Sequence, residues 1–190
     1  MLQAIQSTKY PNYYKIPDLA SGVAHAPFHR TSRLWGRKSM IDFLINLGWW
    51  WDFSWNPYDK FVQSTIYIGD ISPDGGASNE PGRDPVEPHH KTHKNGHDVD
   101  IFFIRKDGKP EKTSCLIKDE KTYDLEQNIK LGKTIVHVAG RLGLIIGFYY
   151  GNDKRVQAEV PRLTSKINHE DHFHVNIVHP SEASKNYREY

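Results

Sequence analysis

The stretch from His89 to Phe103, HHKTHKNGHDVDIFF, sets four histidines and two aspartates ahead of an apolar run. Imidazole nitrogen and carboxylate oxygen both bind zinc at about 2.0 to 2.2 Å, so metal binding is the first chemistry these residues imply. Asp98 and Asp100 alternate with Val99, Ile101 and Phe103. Strand side chains alternate between faces, so the two carboxylates are expected to share one. Lys94-Asn95-Gly96 has the composition of a turn, which would bring His93 back over Asp100. A second stretch, HEDHFHVNI from His169 to Ile177, alternates in the same way. It sets His172, His174 and Asn176 on one face and Phe173, Val175 and Ile177 on the other. Eight of the eleven histidines lie in or beside these two stretches, a clustering that scattered surface histidines would not give. A polar face on an otherwise apolar strand is costly to bury unless something compensates it. The compensation expected here is a metal ion shared by the two strands.

Three protein ligands with a fourth position left open characterise catalytic zinc sites, where the pKa of a coordinated water falls to about 7. His93, Asp100 and His174 would be the three. Residues i and i+2 of a strand stand about 6.6 Å apart, so His174 can hold the metal while His172 stands beside the water as a general base. His169, on the preceding loop, could orient His172 or steady an oxyanion as a cation. The sequence leaves the division of roles between His169 and His172 open. Asp98 is expected to act from behind the ligands, holding His93 or a loop amide.

These residues need a scaffold, and 190 residues suffice for one domain with a substantial core. The expected order is an N-terminal arm over residues 1–36 packed on a domain over 37–190 that carries the metal-binding residues. Met40, Phe43, Leu44 and Leu47 are spaced as one face of a helix that Gly48 should end. The aromatic group Trp49, Trp50, Trp51, Phe53 and Trp55 is expected as a packed corner of the core, with a platform beside the cleft as the alternative. Strands are expected over 65–71, 98–104 and 144–150, the last of them central, and a hairpin through Lys106 to Lys109 into a strand near Thr113 to Ile117. A long polar loop, 77–92, precedes His93. Asp124 and Gln127 form a capping pattern for a helix running to about Arg141. This order predicts an α+β fold, a central antiparallel β-sheet flanked by helices and long loops.

Composition narrows the partners. The formal net charge of +2 is too small, and the basic residues too dispersed, to indicate nucleic acid. The single cysteine excludes an intrachain disulfide and a Cys-rich structural zinc site. No run approaches the 18 apolar residues of a membrane helix, and the first residues lack the pattern of a signal peptide. The expectation is a soluble chain without membrane insertion, and the sequence fixes neither oligomeric state nor export route.

Three strings together are specific: GDISPDGG at 69–76, HxxHxxGxDVDI at His90, His93, Gly96 and Asp98 to Ile101, and HxxHFHV at His169, His172 and His174. In these the chain resembles the penicillin-insensitive murein endopeptidases, within the wider group of lysostaphin-like, D-Ala-D-Ala and hedgehog-type zinc domains. The resemblance covers about 69–104 and 165–180. It implies zinc on His93, Asp100 and His174, roles around the water for His172 and His169, and substrate binding by His90. It implies hydrolysis of peptide cross-links of peptidoglycan, D-alanyl-meso-diaminopimelate in type, with the peptide stems as partner and the periplasm or cell exterior as location. The alternatives are a D,D-carboxypeptidase or dipeptidase on the same substrate, and a non-catalytic zinc-containing module that binds the cell wall. Pro88-His89-His90 departs from the Ser-Gly-His usual in the family, and His97 stands where an apolar residue is usual.

Overall fold

The structure, a computed structural model, describes residues 3–17, 22–25, 34–55, 65–72, 93, 95–109 and 117–183. Eight strands and four helices follow one another within these residues: β1 (Ile5–Gln6), β2 (Tyr14–Lys15), β3 (Val23–His25), β4 (Trp35–Gly36), α1 (Lys38–Trp55), β5 (Ile66–Ile68), β6 (Asp98–Phe102), α2 (Leu125–Arg141), β7 (Ile145–Tyr150), α3 (Lys154–Glu159), β8 (His172–Val178) and α4 (Pro180–Ala183). The main sheet has the order β3-β5-β6-β8-β7. β3 and β5 run parallel and the remaining neighbours antiparallel. The fold is thus α+β. The first 36 residues contribute β3 to this sheet, and β1, β2 and β4 form a small antiparallel sheet of their own.

One face of the main sheet is the core. Val99, Ile101, Phe173, Val175 and Ile177 are buried beneath Met40, Phe43, Leu44 and Leu47 of α1 and Leu131, Ile135 and Val138 of α2. Fully burying a side chain of this size is worth roughly 1.5 to 3 kcal/mol, and the burial also fixes register, since a one-residue slip of β6 or β8 would bring every apolar side chain to the opposite face. Asp124 caps α2 by accepting from the Gln127 amide, as the sequence pattern implied. Asn128 in the first turn is wholly buried. Its side chain accepts from the Ile104 amide at 2.8 Å and donates to the Ile104 carbonyl at 2.9 Å. In this way it pairs like a strand residue and ties α2 to the chain leaving β6.

Three expectations need correction. Helix α1 does not stop at Gly48 but runs on to Trp55. A mid-helix glycine costs only about 1 kcal/mol, which the packing of Leu47 and Trp51 outweighs, and Gly22 lies directly on the Gly48 carbonyl. The tryptophans are therefore helical, and they divide by face. Trp51 is in the core, Trp50 packs on His137 of α2 with ring centroids 4.9 Å apart, and Trp49 is exposed and stacks on Phe53. The apolar run of β7 does not lie at the centre but at the sheet edge, beside β8. Only one of its faces meets the helices, and Ile145 is exposed. The center belongs to β6 and β8. The turn at Lys106 and Asp107 is present, with Gly108 at φ +65°. The strand expected near Thr113, the loop 77–92 and His90 lie outside the described residues. Among those residues, no helix is long and apolar enough to cross a membrane.

Two glycines of α2 test the packing in opposite directions. A Cβ at Gly132 would come within 2.7 Å of Val160, whereas at Gly140 nothing lies within 4 Å. Gly140→Ala should therefore stabilise the protein by about 0.5 to 1 kcal/mol. Gly132→Ala should destabilise it by roughly 1 to 3 kcal/mol despite the same gain in helix propensity. Urea unfolding of the two variants measures both, and equal shifts would contradict the packing described.

Candidate metal centre

The face of the sheet opposite the core carries the polar cluster. β6 and β8 are neighbours, with Asp100 directly opposite His174 and Asp98 directly opposite Asn176. Such cross-strand pairs bring Cβ atoms to about 4.5 to 5.5 Å, and alternation places His172 on the same face. His174 Nδ1 donates to Asp100 Oδ1 at 2.9 Å, and His174 Nε2 to Asp98 Oδ1 at 3.1 Å. Asn176 also donates to Asp98, at 3.1 Å.

His93 arrives from outside the sheet. Its Nε2 lies 3.3 Å from Asp100 Oδ2, and its Nδ1 donates to the Ile71 carbonyl at 3.1 Å. The chain after β5 contributes again one step away, where the Gly69 amide donates to the Asp100 carbonyl and the Asp100 amide to the Asp70 carbonyl. The string at 69–72 thus positions the backbone of Asp100 and the ring of His93. The expected turn depends on Gly96, whose φ is +74° and whose carbonyl accepts from the Arg37 amide. A Cβ there would meet the Arg37 amide nitrogen at 2.9 Å.

His93, Asp100 and His174 thus form a buried triad whose donor atoms lie within 4.8 Å of one another, a group able to hold a metal ion. The donor set fits a metal in a further respect. Each imidazole has its outer nitrogen fixed, His93 by the Ile71 carbonyl and His174 by Asp98, while the other nitrogen faces Asp100. Outer hydrogen bonds of this kind orient metal-binding histidines. Asp98 is bonded to His174, where the sequence had pointed to His93 or a loop amide.

The two remaining histidines line the same hollow. His172 donates through Nδ1 to Asp171 at 2.6 Å and presents Nε2 to Asp100 Oδ1 at 3.5 Å. His169 donates through Nδ1 to the Ile167 carbonyl at 2.9 Å, and its ring packs 4.9 Å from that of His172. Tyr150, which the sequence reading did not single out, pairs opposite His174, with its ring 6.1 Å from His174 and 5.5 Å from His169. The register of β7 shifts between Ile146 and Tyr149, and the signal was Gly147, a residue that in a strand often marks a bulge. His97 is turned away, its Nδ1 donating to the Ile177 carbonyl.

Charge in the hollow favours cations. Burial opposes ionisation of Asp100, yet the surrounding histidines hold its carboxyl well below the usual range. Burial likewise opposes the imidazolium at His93 and His172, and the carboxylate beside each outweighs it, so both are raised. At His174 the two aspartates overcome burial and lift the pKa to about 9. At His169 burial prevails and the pKa is lowered. In the metal-free protein, then, a proton on His174 Nδ1 takes the place that a bound cation would occupy.

No family model matches the chain, and no curated protein matches it either.

Two predictions follow from this charge pattern. His174 should contribute stability that is fully present below its unfolded pKa of about 6.5 and lost as pH rises through about 9. Metal-free protein should melt at a lower temperature at pH 9.5 than at pH 6.5, and a divalent metal at about a hundred times its dissociation constant should restore about 2.7 kcal/mol. A melting temperature that does not fall over this range would contradict the double carboxylate grip on His174. Asp98→Asn should weaken metal binding roughly tenfold to a hundredfold without abolishing it, as read by chelator competition; complete loss would make Asp98 itself a ligand.

Proposed function

We propose that the chain is a zinc metallo-endopeptidase that hydrolyses peptide cross-links of bacterial peptidoglycan, of the D-alanyl-meso-diaminopimelate type, in the cell envelope. The observation that carries the reading is the convergence of a three-ligand triad with a carboxylate-held histidine, His172, on one face of the sheet. A site built to hold a single ion on His93, Asp100 and His174 has no need of His172 and His169, both with nitrogens directed into the hollow. The substrate class rests on the resemblance of the strings at 69–76, 90–101 and 169–175 to the murein endopeptidases.

Two imidazoles and a carboxylate form a donor set suited to zinc. When bound by His93, Asp100 and His174, zinc supplies Lewis acidity toward a carbonyl oxygen and lowers the pKa of water. The chain's own residues handle the protons. His172 Nε2 faces the hollow with its ring fixed by Asp171, so it can take a proton from the attacking water and pass it to the leaving amine. The carboxylate partner stabilises the imidazolium formed between these two transfers. His169 is kept neutral by burial, and with its Nδ1 proton committed to Ile167 it offers a lone pair that can orient water. Tyr150 closes the side of the hollow toward β7.

Purified sacculi incubated with zinc-loaded protein should yield monomeric muropeptides in place of dimers, with glycan strands uncut, as read by mass spectrometry. Chelator should stop the reaction and penicillin should not. His172→Ala should lower the rate by roughly a hundredfold to ten-thousandfold while retaining the metal, whereas His174→Ala and Asp100→Ala should lose metal and activity together. Activity should fall toward acid pH as the imidazoles protonate. Release of terminal D-alanine with dimers intact would move the assignment to a carboxypeptidase, and unaltered sacculi would favour the binding module.

A further inference from the structure

The hollow contains more ligands than one ion uses. His169, His172 and His174 form a second group whose donor atoms lie within 4.8 Å of one another. His174 joins both groups, but only its Nδ1 faces Asp100, because Nε2 is held by Asp98. It can therefore serve one ion fully. Asp100 can serve two, since Oδ2 lies 3.3 Å from His93 Nε2 while Oδ1, 2.9 Å from His174 Nδ1, also lies 3.5 Å from His172 Nε2. His172 and His169 are prepared as the ligands of the first triad are, each with Nδ1 fixed by an oxygen and Nε2 left as donor.

We propose that the chain takes up a second zinc-type ion between Nε2 of His169, Nε2 of His172 and Oδ1 of Asp100, with the Asp100 carboxylate bridging the two ions, and that filling this position switches hydrolysis off. Ions bridged in this way commonly stand about 3.5 to 4 Å apart, so they repel, and the second binds more weakly than the first. Its inhibitory effect rests on the peptidase reading, in which His172 needs its Nε2 lone pair to carry a proton; an ion on that nitrogen removes it. Binding itself does not depend on that reading.

Zinc titration of metal-free protein against a chromophoric chelator tests the site directly. Wild-type protein should take two ions with separable affinities, and His169→Ala and His169→Gln should each retain the tighter ion and lose the weaker. Cobalt gives an independent reading: the paramagnetic signal of the one-ion form should diminish when the second ion couples to it across Asp100, and should not do so in His169→Gln. Digestion of sacculi should rise with the first equivalent of zinc and fall with the second. A wild-type stoichiometry of one, or a second ion that survives both His169 variants, overturns the site. Digestion that remains at its plateau with both positions filled overturns the switch. Uncut sacculi at one equivalent, with two ions still bound in wild type, support the second site and overturn the peptidase reading instead.

Discussion

Asp100 is a carboxylate on a central strand with His93, His172 and His174 around it. Everything else on that face of the sheet can be understood as a response to this one buried charge. An isolated carboxylate removed from water would cost several kcal/mol, and the fold meets that cost with imidazoles brought from another strand and from a loop. The arrangement is stable with protons, and by the same electrostatics it should accept a divalent cation, since a metal delivers more positive charge to the same position. Metal binding and proton binding are then alternatives at one site, and affinity becomes pH-dependent. A metal bound there would oppose the effect of Asp100 that raises His172.

The core side of the sheet makes this geometry possible. Opposition of Asp100 to His174 is a matter of register, and register is fixed by Val99, Ile101, Phe173, Val175 and Ile177 buried under α1 and α2. The Asn128 clamp on Ile104 and the Gly69 and Asp70 contacts with Asp100 hold β6 from its two flanks. The site is therefore built mainly on strands, whose positions are set by packing far from the chemistry. His93 is the exception, and its loop is held by the Ile71 carbonyl and by the close passage of Gly96 over Arg37.

The parts of this arrangement legible in the sequence were those governed by short-range periodicity. Alternation alone grouped Asp98 with Asp100 and His172 with His174, and the turn residues returned His93 to them. The α2 cap was equally local. What the sequence did not show was governed by long-range packing. Nothing local reveals that helix α1 passes through Gly48, because what compensates the glycine is the burial of Leu47 and Trp51 against distant parts of the chain and the passage of Gly22 over its carbonyl. The edge position of β7 was hidden because an apolar run reads alike at the centre and at the edge of a sheet. Tyr150 became visible only once the irregularity at Gly147 had set which face it occupies. The partner of Asp98 was misjudged for a related reason: the pairing with His174 runs diagonally between strands and depends on the register of β6 against β8.

The central claim is a metal ion on three named atoms, and a crystal structure of zinc-loaded protein with anomalous scattering recorded on both sides of the zinc edge addresses it most directly. The account predicts a strong peak at about 2.0 to 2.2 Å from His93 Nε2, His174 Nδ1 and one oxygen of Asp100, with Asp98 still bonded to His174 Nε2. A peak held by His172 in place of His174, or zinc found only on exposed histidines away from Asp100, would contradict it.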